Sequence, residues 1–410
     1  MNRHDISLLV GNALDKFDGA LYGFLAPILA PVFFPHHDYV VQLILSYATS
    51  LVATIARPLG TFIFGMFAQS LGPTRALSYS LFGVAAATVI IGCIPGYDNI
   101  GWCAPLLLVC ARFVRGVFAA GESTIARLYI MENKEFSGAL RVSAWYQSSS
   151  MIGIIAASAL ATMVIGFEHY AAWRVCFFVG GATGLVALYI RRCVENSLLS
   201  AAAKTVAFKE FVRDGLQLLW EHKKNVARVA LVTVFSHMTY AIPFVFMNSF
   251  VPLITDISLQ TMMMGNTSLL VFDMVAVMVI GFCVARCKNI RTIMAASSGL
   301  LACTIIPLFY YLQAAPLWYV MAVRVWIVVC GVIFLCPLSV WCNNLFKGED
   351  GAQHKYFLVG MGSAIGAGTL GCATTPLCLW LWHITGCVYM PAVYVAGVMG
   401  LVAWVVGRDE

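Results

Sequence analysis

Residues 8–33 of the chain read LLVGNALDKFDGALYGFLAPILAPVF, an apolar run interrupted by charged residues. The run is long enough to cross a bilayer, for which a helix needs about 20 apolar residues. At about 100° per residue, Asp15, Asp18 and Tyr22 fall within an arc of about 60°. A charge at the bilayer centre costs from about 2.5 to more than 10 kcal/mol, so this face is expected to line a polar cavity. Lys16 points elsewhere and is expected to pair locally or to reach the interface.

The same apolar character continues along the chain. Hydrophobic residues make up 61% of the 410 positions and charged residues 11%, with a mean hydropathy of +0.85. A soluble domain carries about 25% charged residues, so most of this apolar surface is expected to face lipid. Runs long enough to span fall near 8–33, 40–70, 76–96, 102–130, 140–166, 171–191, 228–254, 262–285, 292–313, 315–342, 356–383 and 386–406. The pattern predicts an all-α membrane protein with twelve transmembrane helices in two pseudo-symmetric six-helix bundles.

The spacing of the runs divides the chain into two halves. The predicted bundles are residues 1–192 and 228–410, joined by a cytoplasmic linker, 193–227, in which apolar and basic residues alternate. That alternation indicates an amphipathic helix on the membrane surface, or a simple tether. Gly65 and Arg75 in one half have the same spacing as Gly281 and Arg291 in the other. Two similar halves are a recurring plan among transporters, with a site between them near the midplane.

The distribution of lysine and arginine gives the orientation. Most of the 25 basic residues fall in alternate loops, and the intervening loops contain Arg174 alone. Because cytoplasmic loops carry the excess of basic residues, both termini are predicted to be cytoplasmic. The net charge of +6 does not indicate nucleic-acid binding, since the basic residues lie between apolar runs and form no patch.

The fourth span carries a second charged stripe. Arg112, Arg115 and Glu122 fall within an arc of about 80°, so this face cannot contact lipid. The arginines can bind a substrate carboxylate in bidentate fashion, and Glu122 can pair with them or take a proton when desolvated. The alternative is a closed salt-bridge network with the first helix.

The second half holds fewer buried charges. His237, Tyr240 and Asn248 form one stripe on the seventh span, which Pro243 is expected to kink. A single histidine of this kind is often a packing residue. Two charges, Asp273 and Arg324, lie within the eighth and tenth spans and are predicted either to pair or to form a functional site. These residues are the candidate site of the second bundle.

No pattern of a cofactor or metal site is present. Cys283 and Cys287 lie one helical turn apart, but no histidine or second cysteine pair completes a metal site. A phosphate-binding loop, a nucleophile elbow and a zinc-protease motif are also absent from the sequence. We therefore expect no metal, no cofactor and no enzymatic activity, and instead the transport of a small polar solute.

Several motifs resemble those of the major facilitator superfamily and, within it, of the metabolite:proton symporters. These are Gly11-Asn12, Phe17-Asp18, Leu21-Tyr22-Gly23-Phe24-Leu25-Ala26-Pro27, Phe33-Phe34-Pro35, Arg57-Pro58-Leu59-Gly60, Arg112, Gly116, Gly121-Glu122, Trp173-Arg174, Glu195-Asn196-Ser197, Thr374-Thr375-Pro376-Leu377 and Pro391-Ala392-Val393-Tyr394. Asp15 stands where that family usually has glutamate, and Lys16 where it has an aromatic residue. The resemblance implies a monomer in a bacterial inner membrane that carries a metabolite such as proline, betaine, 2-oxoglutarate, citrate or shikimate.

The gating motif of the superfamily is altered in this chain. The motif runs Gly, three residues, Asp, Arg, any residue, Gly and then basic residues, and here Gly65, Gly72 and Arg75 remain. Gln69 stands where the motif has aspartate, and Ser70 where it has arginine. The resemblance implies that such loops stabilise the outward-facing state, so their change is expected to alter the gating equilibrium.

The residues and the resemblance together predict a proton-coupled symporter that works by alternating access in the lipid bilayer. Arg112 and Arg115 would meet the substrate carboxylate, and Asp15, Asp18 and Glu122 would hold protons or a substrate amine. The carboxylates mildly favour a solute with positive charge, such as proline or betaine, over a dicarboxylate. The alternatives are an uncoupled facilitator or exchanger of the same solutes, a membrane sensor without transport activity and, least supported, a membrane enzyme.

Overall fold

The computed structural model describes residues 3–36, 38–71, 73–121, 136–165, 172–195, 208–284, 289–346 and 349–408. Over these ranges the backbone is helical apart from short turns. Helices are the expected result for apolar runs of this length, because a helix in lipid satisfies its backbone hydrogen bonds within itself. The structure divides into two compact units, which are described in turn.

The first unit comprises Met1–Pro35 and Thr49–Glu221. Its helices are α1 (Arg3–Phe33), α2 (Tyr39–Leu71, whose first residues belong to the second unit), α3 (Pro73–Cys93), α4 (Cys103–Gly121), α5 (Phe136–Ile165), α6 (Ala172–Glu195) and α7 (Phe208–Glu221), with one further turn at Tyr97–Ile100. Helix α7 lies within the predicted linker, and it exposes the apolar side chains of Leu216 and Trp220.

Glycines bring the helices of the first unit into backbone contact. A Cβ atom at Gly116 of α4 would collide with the carbonyl oxygen of Ala53 in α2. A Cβ atom at Gly60 of α2 would collide with Val117 in α4 in the same way. The two glycines therefore form a reciprocal close approach of α2 and α4. This approach fixes the position of the polar side chains on those helices.

The second unit comprises His36–Ala48 and His222–Glu410. Its helices are α8 (Lys223–Ala241), α9 (Met247–Ile254), α10 (Leu259–Val284), α11 (Ile290–Tyr310), α12 (Leu317–Asn344), α13 (Glu349–Gly366), α14 (Cys372–Thr385) and α15 (Met390–Gly407), with π-helical turns at Ile242–Phe246, between α8 and α9, and at Ala367–Gly371, between α13 and α14. The start of α2 is held in this unit by a hydrogen bond of 2.7 Å between the hydroxyls of Tyr47 and Ser249.

Nine helices of the described chain are long and apolar enough to cross a membrane, and Ser148–Val164 is a shorter apolar helix. In α10, one face exposes Val271, Val275 and Val279, whereas Leu270 and Asp273 are buried on the opposite face. Apolar exposure along one side of a long helix is expected where lipid forms the solvent. The chain is an integral membrane protein.

The close approach of α2 and α4 predicts the effect of Gly116→Ala. The added methyl group must displace the backbone at Ala53, and overpacking of this kind costs about 1–3 kcal/mol. We expect a lower midpoint of thermal unfolding for the purified protein in detergent. Gly397 of α15 has open space around its Cβ position, so Gly397→Ala is the matched control and should keep the wild-type midpoint. Equal midpoints for both variants would contradict the proposed packing of α2 on α4.

Candidate functional site

A buried ion pair joins α1 to α4 in the first unit. Arg115 Nε donates a hydrogen bond of 2.8 Å to Asp18 Oδ2, and both residues are at most 5% exposed. Thr88 of α3 also reaches this carboxylate, with 2.6 Å between Thr88 Oγ1 and Asp18 Oδ2. For Arg115, the structure therefore shows the salt bridge to the first span that the sequence left open as an alternative.

The ion pair does not satisfy all of its own atoms. Asp18 Oδ1 and Arg115 Nη2 are buried and have no hydrogen-bond partner among the described residues. The backbone of α6 covers the free oxygen, since a Cβ atom at Gly180 would lie 3.0 Å from Asp18 Oδ1. A buried ion pair contributes little net stability even when fully hydrogen-bonded, because desolvation opposes the attraction. The unsatisfied atoms are therefore hydrogen-bonding positions that the described packing leaves unused.

The second arginine of the stripe lies beside an aromatic ring. The Arg112 guanidinium carbon is 3.8 Å from the centroid of Tyr22, and Nη2 donates a hydrogen bond of 2.9 Å to Ser50 Oγ. Tyr22 is held in turn by Thr49, whose Oγ1 donates to the phenol oxygen at 2.8 Å. The structure thus gathers Asp18, Tyr22, Arg112 and Arg115 into one buried cluster, here named the first-unit cluster. Four residues of the two sequence stripes thus lie together, and their role in transport stays a prediction.

The remaining predicted residues of the first half have other direct contacts or lie outside the described residues. Asp15 pairs with its neighbour Lys16 at 3.3 Å, so it lies on α1 with a local partner. Arg75 is exposed near the start of α3. Glu122 and Gly72 lie outside the described residues, and so do the side chains of Gly65 and Gln69, which belong to α2.

In the second unit a fully buried arginine is held mainly by oxygen atoms that carry no full charge. Arg324 Nε donates 2.8 Å to the carbonyl oxygen of Pro243, and its Nη2 donates to Asn266 Oδ1. Pro243 offers this carbonyl because the π-helical turn redirects the next hydrogen bond, from Met247 N, to Ile242 O. The predicted pairing of Arg324 with Asp273 is not what the structure shows, since the guanidinium is turned toward the kink.

The stripe on the seventh span is interrupted by the same π-helical turn. Tyr240 and Phe244 pack with ring centroids 5.2 Å apart. Asn248 Nδ2 donates 2.7 Å to the carbonyl oxygen of Phe244, and Asn248 Oδ1 has no hydrogen-bond partner among the described residues. His237 packs toward the other π-helical turn, where a Cβ atom at Gly371 would lie 2.9 Å from its Cδ2. The side chains therefore face different neighbours instead of one shared cavity wall.

Sequence reasoning missed the hydroxyl groups that complete the first-unit cluster. Thr88, Ser50 and Thr49 are single polar residues within apolar runs, where serine and threonine often bond to their own helix backbone. Thr88 Oγ1 is indeed also 2.9 Å from the carbonyl oxygen of Val84. The sequence carries no signal that separates such a residue from one that reaches across to a charge.

The sequence profile described as Major Facilitator Superfamily matches residues 17–369. The chain belongs to the major facilitator superfamily. Its fold and its relatives are those of transporters and not of enzymes, which confirms the predicted class.

The curated relatives include proteins described as transporters of proline and betaine. The proline/betaine transporter of Escherichia coli (strain K12) is 31% identical over 220 residues, which are 51% of this chain and 42% of that protein. The glycine betaine/proline/ectoine/pipecolic acid transporter of Dickeya dadantii (strain 3937) is 30% identical over 262 residues, which are 59% of this chain and 51% of that protein. The chain thus spans about half the length of the curated relatives it matches.

Solved structures show the same fold over the whole chain. The crystal structure of a D-xylose–proton symporter has a TM-score of 0.76 at 13% sequence identity and covers 99% of this chain and 97% of that chain. A partially occluded inward-open structure of the xylose transporter from E. coli has a TM-score of 0.70 at 13% identity, with 98% and 97% covered. The predicted fold of twelve helices in two bundles is confirmed.

The ion pair of the first-unit cluster predicts the result of a double-mutant cycle. Asp18→Asn leaves the buried charge of Arg115 without its carboxylate, which costs about 3–5 kcal/mol. Adding Arg115→Gln removes that charge, so the double variant should be more stable than Asp18→Asn. Thermal unfolding in detergent measures the stability of the single and double variants. Asp98→Asn, at an exposed position of the same unit, is the control for the substitution of aspartate by asparagine. A double variant with the sum of the two single losses would show that the residues do not interact.

Proposed function

We propose that the chain is a proton-coupled symporter of a small carboxylated or zwitterionic solute that works by alternating access. The observation that carries the proposal is the buried pair of Asp18 and Arg115, in which one atom of each group has no hydrogen-bond partner among the described residues. A charged pair inside a membrane bundle is a functional site by default, because packing alone does not require it. The geometry of Thr88 and the positions of Arg112 and Tyr22 support the proposal.

The hydroxyl of Thr88 suits both protonation states of Asp18. It has one proton and two acceptors within reach, Asp18 Oδ2 at 2.6 Å and Val84 O at 2.9 Å. When Asp18 is ionised, Thr88 donates to the carboxylate. When Asp18 is protonated, its hydroxyl can donate to Thr88 Oγ1 while Thr88 donates to Val84. The carboxyl group thus keeps a hydrogen-bond partner in each state, and only its attraction to Arg115 changes.

Protonation of Asp18 prepares the cluster for an anionic group. The neutral carboxyl no longer balances the charge of Arg115, so a carboxylate of the solute can take its place. Arg112 lies on the same stripe of α4, and its guanidinium is oriented by the Tyr22 ring and Ser50. Two guanidinium groups on one helix face can hold one carboxylate with charge-assisted hydrogen bonds. Release of the solute then favours release of the proton, which couples the two movements.

The relatives favour a zwitterion such as proline or a betaine over a dicarboxylate. Two of them are described as carriers of proline and betaine. Asp15, on the next turn of α1, adds a carboxylate that could attract the positive end of such a solute. We further propose a bacterial inner membrane as the location, with both termini in the cytoplasm, because the basic residues of the loops favour that orientation.

Uncoupled exchange of the same solutes is the second candidate. It is favoured by one observation, that the pair of Arg115 and Asp18 is closed. In that case the pair would hold α1 and α4 together throughout the cycle, and no proton would enter with the solute.

Uptake into proteoliposomes tests the proposal. The purified protein is reconstituted, and labelled proline, glycine betaine, 2-oxoglutarate and citrate are offered with and without an imposed pH gradient. We expect the gradient to drive the accumulation of one of them, and Asp18→Asn to abolish that accumulation, because the variant cannot exchange a proton. Uptake that ignores the gradient would establish the uncoupled exchanger instead. No uptake by folded protein would refute the proposed solutes.

Thr88 provides a sharper test of the proton site. Thr88→Val keeps the shape of the side chain and removes the hydroxyl, so protonated Asp18 loses its acceptor. We expect proton-driven uptake to fall by about tenfold, the equivalent of one net hydrogen bond of about 1.4 kcal/mol. Thr88→Ser keeps the hydroxyl and should retain most of the uptake. Equal uptake by the valine and serine variants would remove Thr88 from the mechanism.

A further inference from the structure

Asp273 is a buried carboxylate of the second unit that the first-unit cluster does not involve. It lies on α10, about 21 Å from the start of the helix at Leu259 if each residue rises 1.5 Å. It is therefore well inside the apolar stretch Leu259–Gly281. Val271 and Val275 on the outer face are exposed, whereas Asp273 is 7% exposed. The helix thus turns this carboxylate away from lipid and into the protein.

Among the described residues, no charged group is seen to balance Asp273. Within this part of the chain it forms no ion pair and no hydrogen bond, and it is buried. Tyr240 from α8 and Cys336 from α12 are described titratable groups near enough to interact with it electrostatically. Both of these groups are neutral in their ordinary state, and neither supplies a positive charge.

The other titratable groups of these helices have different neighbours. Arg324 on α12 is engaged at the carbonyl oxygen of Pro243 and at Asn266, two turns of α10 away from Asp273. His237 on α8 packs toward the π-helical turn at Gly371. Helix α9 carries no titratable side chain. Asp273 therefore differs from Asp18, whose ionised form is stabilised by Arg115.

We infer that Asp273 is a second proton-binding site, separate from the first-unit cluster, which takes up a proton from water and returns it to water during the transport cycle. An isolated carboxylate in a low-dielectric environment is favoured in its neutral form. The carboxyl group is not fully enclosed, so a proton has a route to it. The inference rests on the proposed proton-coupled function for its role in the cycle, but the binding of the proton itself can be measured without any solute.

Infrared difference spectroscopy of the reconstituted protein tests the site directly. Lowering the pH over the range in which the protein stays folded should produce the carbonyl band of a protonated carboxyl group, with the shift expected in heavy water. We expect part of this band to be missing in Asp273→Asn. The control is Asp256→Asn, at an exposed position between α9 and α10, which should keep the component that belongs to Asp273. An identical band in wild type and Asp273→Asn would overturn the inference.

A conservative variant covers the case in which Asp273→Asn does not fold. Asp273→Glu keeps the carboxyl group, so its band should remain but shift in frequency or in titration midpoint. Spectra of wild type and Asp273→Glu that coincide throughout would also overturn the inference.

A transport measurement then links the site to the cycle. With the solute found in the uptake panel, Asp273→Asn should lose proton-driven accumulation and retain solute exchange across the membrane, because exchange needs no net proton movement. Proton-driven accumulation at the wild-type level would show that the site does not take part in coupling. If the wild type itself accumulates no solute, the proposed function fails, whereas the infrared result still decides whether Asp273 binds a proton.

Discussion

The pairing of Asp18 with Arg115 is the constraint that sets which faces of α1 and α4 meet inside the first unit. Each charge alone would be expensive inside a membrane bundle, so the two residues require α1 and α4 to approach closely enough for a hydrogen bond of 2.8 Å. The glycines at the contact of α2 and α4 bring Ser50 within reach of Arg112. Hydroxyl groups on α2 and α3 then form hydrogen bonds with Arg112 and with Asp18. Packing and electrostatics therefore require the same helix positions.

In the second unit, a buried arginine has neutral hydrogen-bond acceptors instead of a carboxylate. Arg324 is compensated by a carbonyl oxygen that the π-helical turn releases and by the side chain of Asn266. Neutral acceptors satisfy the hydrogen-bonding capacity of a guanidinium but leave its net charge in place. This interaction does not respond to protonation, because neither acceptor titrates. The arginine thus bonds to the kink at Pro243, whereas Asp273, elsewhere in the unit, is the carboxylate for which we infer a proton site.

Much of the fold and of the first-unit cluster could be predicted from the sequence, because both depend on periodicity. The cost of placing charge in lipid forces Asp18, Tyr22, Arg112 and Arg115 to face inward, and helical geometry then groups them. The partner of Arg324 could not be predicted in the same way. Its acceptor is a backbone carbonyl that becomes available only through the hydrogen-bond shift after Pro243, and backbone carbonyls have no sequence signature. The contact of the Thr88 hydroxyl with Asp18 could not be predicted for a related reason, because the same hydroxyl can bond to the backbone of its own helix.

Charge balance explains why a proton and a carboxylate would move together in such a site. With Asp18 ionised, the pair with Arg115 is neutral, and an added anion would bring an uncompensated charge into a low-dielectric environment. With Asp18 protonated and no solute bound, the positive charge of Arg115 is uncompensated instead. At Arg115 itself, the guanidinium charge is balanced only when the proton and the solute carboxylate are both bound or both absent. Because uncompensated charge costs several kcal/mol in such surroundings, the half-loaded states are the least populated ones. In the proposed cycle, electrostatics at this ion pair would link the proton to the solute carboxylate, in addition to any proton bound at Asp273.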